Sequence, residues 1–162
     1  RYLTHPTISF GASEEWTVEV VLNWNGLSSN MNRNSPFLGG GYRSGVLSFE
    51  STERGNISDI LMCSDNDSKV WISNAFKYKK PGKIIHAVIV CNKTTYKLYI
   101  DNEVVGEGTP SNTSIIINNI IKSWSVETHF FKIYSYHIFS KYLSSQEEKK
   151  THRSEPFIKI EI

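Results

Sequence analysis

The chain has 162 residues, 39% hydrophobic and 12% aromatic, with 18 basic against 16 acidic side chains and a net charge of +2. That length suits one domain, spanning 1–162, and a chain of this size buries roughly 70% of its unfolded surface, so it needs no metal or disulfide staple. The composition excludes a disordered chain, the near-balanced charge argues against nucleic acid, and no run approaches the ~20 apolar residues of a membrane-spanning helix.

The first clear element starts at Trp16. Trp16, Val18, Val20, Leu22 and Trp24 alternate with Thr17, Glu19, Val21 and Asn23. Side chains alternate across a strand, so the tryptophan stripe faces a core, and Glu19 and Asn23 face outward. Asn25-Gly26 ends this strand. Residues 36–42 and 46–49 then read as strand, turn, strand. Gly39, Gly40 and Gly41 lack a following Gly-Lys-Ser/Thr, which excludes a phosphate loop. Residues 57–63 and 69–76 read as a hairpin around Ser64-Asp65-Asn66-Asp67-Ser68. Lys77, Lys79, Lys80 and Lys83 surround Pro81-Gly82 and read as a solvated turn.

Residues 84–91 are nearly all apolar, as in a central strand. A turn follows at 92–95, then a strand over 96–101. Asp101-Asn102 suits a type I′ turn, because both residues tolerate positive φ. Strands over 103–108, 114–121 and 130–138 come next. Ser144 or Ser145 caps a predicted short helix through Lys150, acidic at its start and basic at its end. Residues 155–162 read as a last strand or a lead into a further domain. Many short strands and frequent turns predict an all-β, two-sheet antiparallel β-sandwich with one short C-terminal helix. The start at Arg1 without a signal peptide suggests a domain cut from a longer chain. Cys63 and Cys91 each end an apolar run and read as buried free thiols, with a cross-strand disulfide as the alternative.

From Pro81 the chain reads Pro-Gly-Lys-Ile-Ile-His-Ala-Val-Ile-Val, and from Lys97 it reads Lys-Leu-Tyr-Ile-Asp-Asn-Glu-Val-Val-Gly. The pair resembles the laminin G-like hallmark, a "GKWHHVAVV" strand, a turn and "KLYVDGVLVG". Ile84 stands where the family has Trp, and Asn102 where it has Gly. Phe131-Lys132-Ile133-Tyr134, followed by Leu143-Ser144-Ser145-Gln146-Glu147-Glu148, is similar to the closing "VRIYNRALSxEE". Trp16-Thr17-Val18-Glu19-Val20 is similar to the opening "FTIEAWV". The resemblance covers about 16–148 and implies a concanavalin A-like jelly roll. It leaves the role open, since that superfamily holds lectins, glycosidases, adhesion modules and spacers.

A glycosidase needs two carboxylates facing one cleft. The superfamily's enzymes carry them on a Glu-x-Asp-x-Glu strand, which is absent here, and Glu19 is the lone carboxylate on its strand's outer face. His86 matches a family position and reads as structural. His5, His129, His137 and His152 show no metal spacing. Asp65-Asn66-Asp67 is the best calcium candidate, but solvated turn residues are the favoured reading, and no cofactor is expected. Sugar recognition asks for an aromatic platform with polar groups nearby. Trp71 shares a face with Lys69 and Ser73, so it is the candidate ring, with burial beneath another segment as the alternative. Tyr42, Arg43, Asp65 and Asp67 are its polar candidates. By parity Tyr99, Lys132, Tyr134 and Tyr136 belong to an outer face.

The sequence thus predicts a non-catalytic carbohydrate-binding or adhesion module of an extracellular, cell-surface or virion-surface protein, with glycan or protein ligands. The alternative is a structural or docking domain in an assembly such as a phage tail or surface fibre. Neighbouring domains of the parent chain are expected partners.

Overall fold

The structure, a computed structural model, describes residues 3–24, 35–39, 45–50, 59–63, 69–72, 83–120, 131–143 and 158–161, with side chains in 6–23, 84–117 and 133–143. These residues form strands and connections without a helix. The predicted helix over 144–150 lies outside them.

The strands are β1 (Leu3–Phe10), β2 (Trp16–Trp24), β3 (Ser35–Gly39), β4 (Gly45–Glu50), β5 (Asp59–Cys63) and β6 (Lys69–Ile72), followed by β7 (Lys83–Asn92), β8 (Thr95–Ile100), β9 (Glu103–Gly108), β10 (Ile115–Ile120), β11 (Phe131–Phe139) and β12 (Ile158–Glu161). Two six-stranded antiparallel sheets result, ordered β1-β10-β3-β4-β5-β6 and β12-β11-β2-β7-β8-β9. β1 and β2 are consecutive yet belong to different sheets, so the short connection at 11–15 crosses one edge of the sandwich.

The core follows the predicted alternation. Trp16, Val18, Val20 and Leu22 are fully buried, with Leu98, Ile100 and Ile133 beside them. The first sheet supplies Ile8, Phe10, Ile115 and Ile117 to the same cluster. Burying each such side chain contributes about 1.5–3 kcal/mol. The rings of Phe10 and Trp16 stack at 6.2 Å, and Tyr96 meets Trp16 edge-on at 5.4 Å. Cys91 is a buried free thiol.

β1 has no counterpart in the sequence prediction. Pro6 breaks its pattern, and the pairing with β10 shifts register between Thr4 and Ile8. Proline lacks the ladder donor and is tolerated at a sheet edge, where β1 lies.

One predicted orientation needs correction, and one outward-facing residue is less exposed than its face implies. Tyr136 is not on the outer face but fully buried in the core. A bulge between Ile133 and Ser135 inserts one residue into β11, so Ile133, Tyr136 and Ile138 share the inner face. One extra residue reverses the parity of everything beyond it. Glu19 does lie outside the core cluster, yet it is only 7% exposed. Its surroundings explain why.

Candidate functional site

Glu19 sits on β2, the strand between β11 and β7. Its register neighbours are His137 on β11 and Val88 on β7, with His86 one pleat further along. His86 Nε2 donates to Glu19 Oε1 at 2.6 Å, and His137 Nδ1 donates to Glu19 Oε2 at 2.8 Å. A carboxylate only accepts, so each facing nitrogen carries a proton. Burial pushes the Glu19 carboxyl up, but the two imidazole hydrogen bonds and the attraction to both rings outweigh it and hold the group below its ordinary 4.5. Both carboxylate oxygens are therefore occupied, and among the described residues no three His, Cys, Asp or Glu side chains gather to hold a metal. The triad ties three adjacent strands together. Beside it, Val88, Val90 and Tyr99 pack with Tyr142 on the same outer face. Thr17 Oγ1 anchors that covering segment, donating to Lys141 O at 2.9 Å and accepting from Leu143 N at 3.1 Å.

Among the described residues, a site that can admit a ligand lies at the sandwich edge, where β1 gives way to β2. A cleft of about 550 Å³ opens there. Thr7 and Ser9 of β1 and Ser140 beyond β11 bring hydroxyls to it. Glu14 and Glu15 come from the β1–β2 connection, and Lys93 from the β7–β8 turn. Buried Ile8 and Phe10 provide an apolar base. β1 ends its sheet order among the described strands, so one of its edges lies outside that ladder.

Thr113 holds the two charged connections in place. Its hydroxyl accepts from Ser13 N at 3.1 Å and donates to Lys93 O at 2.8 Å. Tyr96 Oη donates to the Thr113 carbonyl at 3.3 Å. Glu14 is braced twice: its Oε2 accepts from Gly11 N at 2.5 Å, and its carbonyl accepts from Cys91 Sγ at 3.6 Å. Ser13 and Lys93 both take left-handed backbone, with φ of 65° and 55°. Residues held in that sparsely populated region point to connections fixed by their surroundings.

Among the described residues that line this cleft there is no sequence candidate. Trp71 lies on β6, opposite Leu61, at the far end of the sheet from β1. Tyr42, Arg43, Asp65 and Asp67 lie outside the described residues, as does the calcium candidate loop. The cleft residues escaped the sequence reading because they are small, charged or connective, and sequence order does not bring 7–15, 93 and 140 together. The one available signal was the Thr7-Ile8-Ser9-Phe10 alternation.

No protein-family model and no curated protein sequence matches the chain. Solved structures do. A candidate carbohydrate-binding protein from Bacteroides ovatus superposes with a TM-score of 0.64 at 11% identity, over 92% of this chain and 43% of that one. The binding domain of botulinum neurotoxin serotype D gives 0.60 at 13% identity, over 93% and 42%. Trypanosoma rangeli sialidase gives 0.51 at 16% identity, over 84% and 22%. This chain thus spans less than half of each. These likenesses show a two-sheet β-sandwich fold that also occurs in parts of binding proteins and of an enzyme.

Proposed function

We propose that the chain is one domain acting as a non-catalytic carbohydrate-binding module, laminin G-like in type, within a larger extracellular or surface protein. The observation that carries this reading is the braced cleft at the β1–β2 edge. Its volume falls within the several-hundred-Å³ range usual for small-ligand sites. It sets hydroxyl, carboxylate and ammonium groups around an apolar base, which is the mixture a sugar's hydroxyls and ring faces call for. The likeness to one protein described as a carbohydrate binder and to toxin binding domains agrees with this reading.

Catalysis finds less support. Glu19 has both oxygens engaged and does not line the cleft; of the two cleft carboxylates, Glu14 has one oxygen held by Gly11 N, and Glu15 is its neighbour on the same connection rather than a group from a facing element. A glycosidase needs one carboxyl free to give a proton and another free to attack or activate water. The test is a glycan array with wild type, Lys93→Ala, Ser9→Ala and Trp71→Ala, each with a thermal melt. Loss of binding in the first two variants at unchanged melting temperature supports the cleft. Loss confined to Trp71→Ala moves the site to the β6 rim, with Tyr42, Arg43, Asp65 and Asp67 as its polar contacts. An array on which wild type binds nothing refutes the module reading.

A further inference from the structure

We propose that the cleft selects uncharged glycans and excludes those bearing carboxylate, sulfate or phosphate. This rests on the reading of the cleft as the glycan site. Among the described residues two carboxylates, Glu14 and Glu15, line it against one ammonium, Lys93, so this part of its wall carries one net negative charge. The Glu14 carboxylate is fixed by the Gly11 N–H, and Glu15 is half-buried, so its charge is screened less than on an open surface. The wall does not adapt freely. Thr113 fixes the backbone of the Ser13–Glu15 connection and that of the Lys93 turn relative to one another, which sets the separation between the roots of the three charged side chains. An acidic sugar seated here would give up part of its hydration and meet two anions for each cation. A neutral sugar can use the same carboxylates as hydrogen-bond acceptors for its hydroxyls, and carboxylates accept strongly.

The exclusion is local. The whole chain carries +2, so long-range attraction would favour an acidic glycan. Specificity by repulsion therefore shows in how affinity depends on salt and on the two charged walls.

The probes are matched pairs in calorimetric titration: N-acetyllactosamine with its sialylated form, and a xylo-oligosaccharide with its glucuronate-substituted form. The expected result is binding of the neutral member, with the acidic partner about tenfold weaker at low salt and the gap narrowing as salt rises. Glu15→Gln should narrow the gap, and Lys93→Gln should widen it. A charge pair acting only through the fold would move both members of a pair together. Acidic members binding as tightly as neutral ones, or both variants shifting the gap in one direction, overturn the selectivity while leaving a glycan-binding cleft. Binding by neither member in any pair refutes the module reading, and the selectivity with it.

Discussion

Replacing Glu19 by alanine removes the acceptor that two imidazoles share. Hydrogen bonds to a charged group contribute about 1.5–3 kcal/mol each, so the pair is worth roughly 3–6 kcal/mol. Removing the carboxylate also removes its burial cost, which brings the expected net loss to about 3 kcal/mol. In a domain of this size each kcal/mol shifts the melting temperature by ~2–4 °C, so the drop should be about 10 °C. Glu19→Gln keeps the shape. Its amide oxygen can satisfy one ring, but its amine opposes the proton on the other. If His137 moves that proton to Nε2, it buries a donor that has no partner among the described residues. The glutamine variant should therefore also lose stability, though less. The pH dependence has a definite sign. The folded Glu19 carboxyl lies below its ordinary 4.5, so its contribution is fully present above that value and fades as pH falls through the folded value. Urea unfolding followed by circular dichroism, from neutral pH down through this range, measures the difference between wild type and each variant. A loss under about 0.5 kcal/mol at neutral pH, the size of an ordinary surface change, would refute the reasoning.

Leu22→Ala should cost about 3–5 kcal/mol by urea unfolding, since the side chain is fully buried between the sheets. Thr113→Val should lower glycan affinity as well as stability, because it cuts the brace between the two charged connections without touching ligand; affinity unchanged at reduced stability would show that the brace does not position the cleft. Burial pushes the Cys91 thiol up to about 11. In a Cys63→Ser background it should thus react with a thiol reagent at pH 8 only after denaturation, and rapid native reaction would contradict its burial. Asn102→Gly should leave the melting temperature nearly unchanged, because Asp101 and Asn102 both take positive φ in their hairpin turn and glycine relieves that strain while adding unfolded-state entropy; a large drop would contradict that turn geometry.

The sandwich was legible because strand alternation is a local signal. Val18 and Leu22 announce the core by their spacing alone, and Asp101-Asn102 announces its turn. Tyr136 misled because a bulge leaves no mark in the spacing of Ile133, Tyr134 and Ser135. Glu19 misled for a different reason: parity assigns a face, but whether that face is wet depends on what the neighbouring strands present. His86 and His137 are 51 positions apart in the chain, and only the β7-β2-β11 order brings them to one carboxylate. The cleft was hidden in the same way. Its charged wall is joined by one buried hydroxyl, Thr113, reaching connections at Ser13 and Lys93 that lie 80 positions apart in the chain, and a lone threonine in a loop carries no periodicity.

The most direct test is nitrogen–proton correlation spectroscopy of the chain titrated with N-acetyllactosamine and the xylo-oligosaccharide. The account predicts that whichever of the two binds shifts the amides of Thr7, Ser9, Glu14, Glu15, Lys93 and Ser140, with those of β6 around Trp71 unmoved. Shifts centred on β6 with the cleft amides still would contradict it, as would spectra that neither sugar changes.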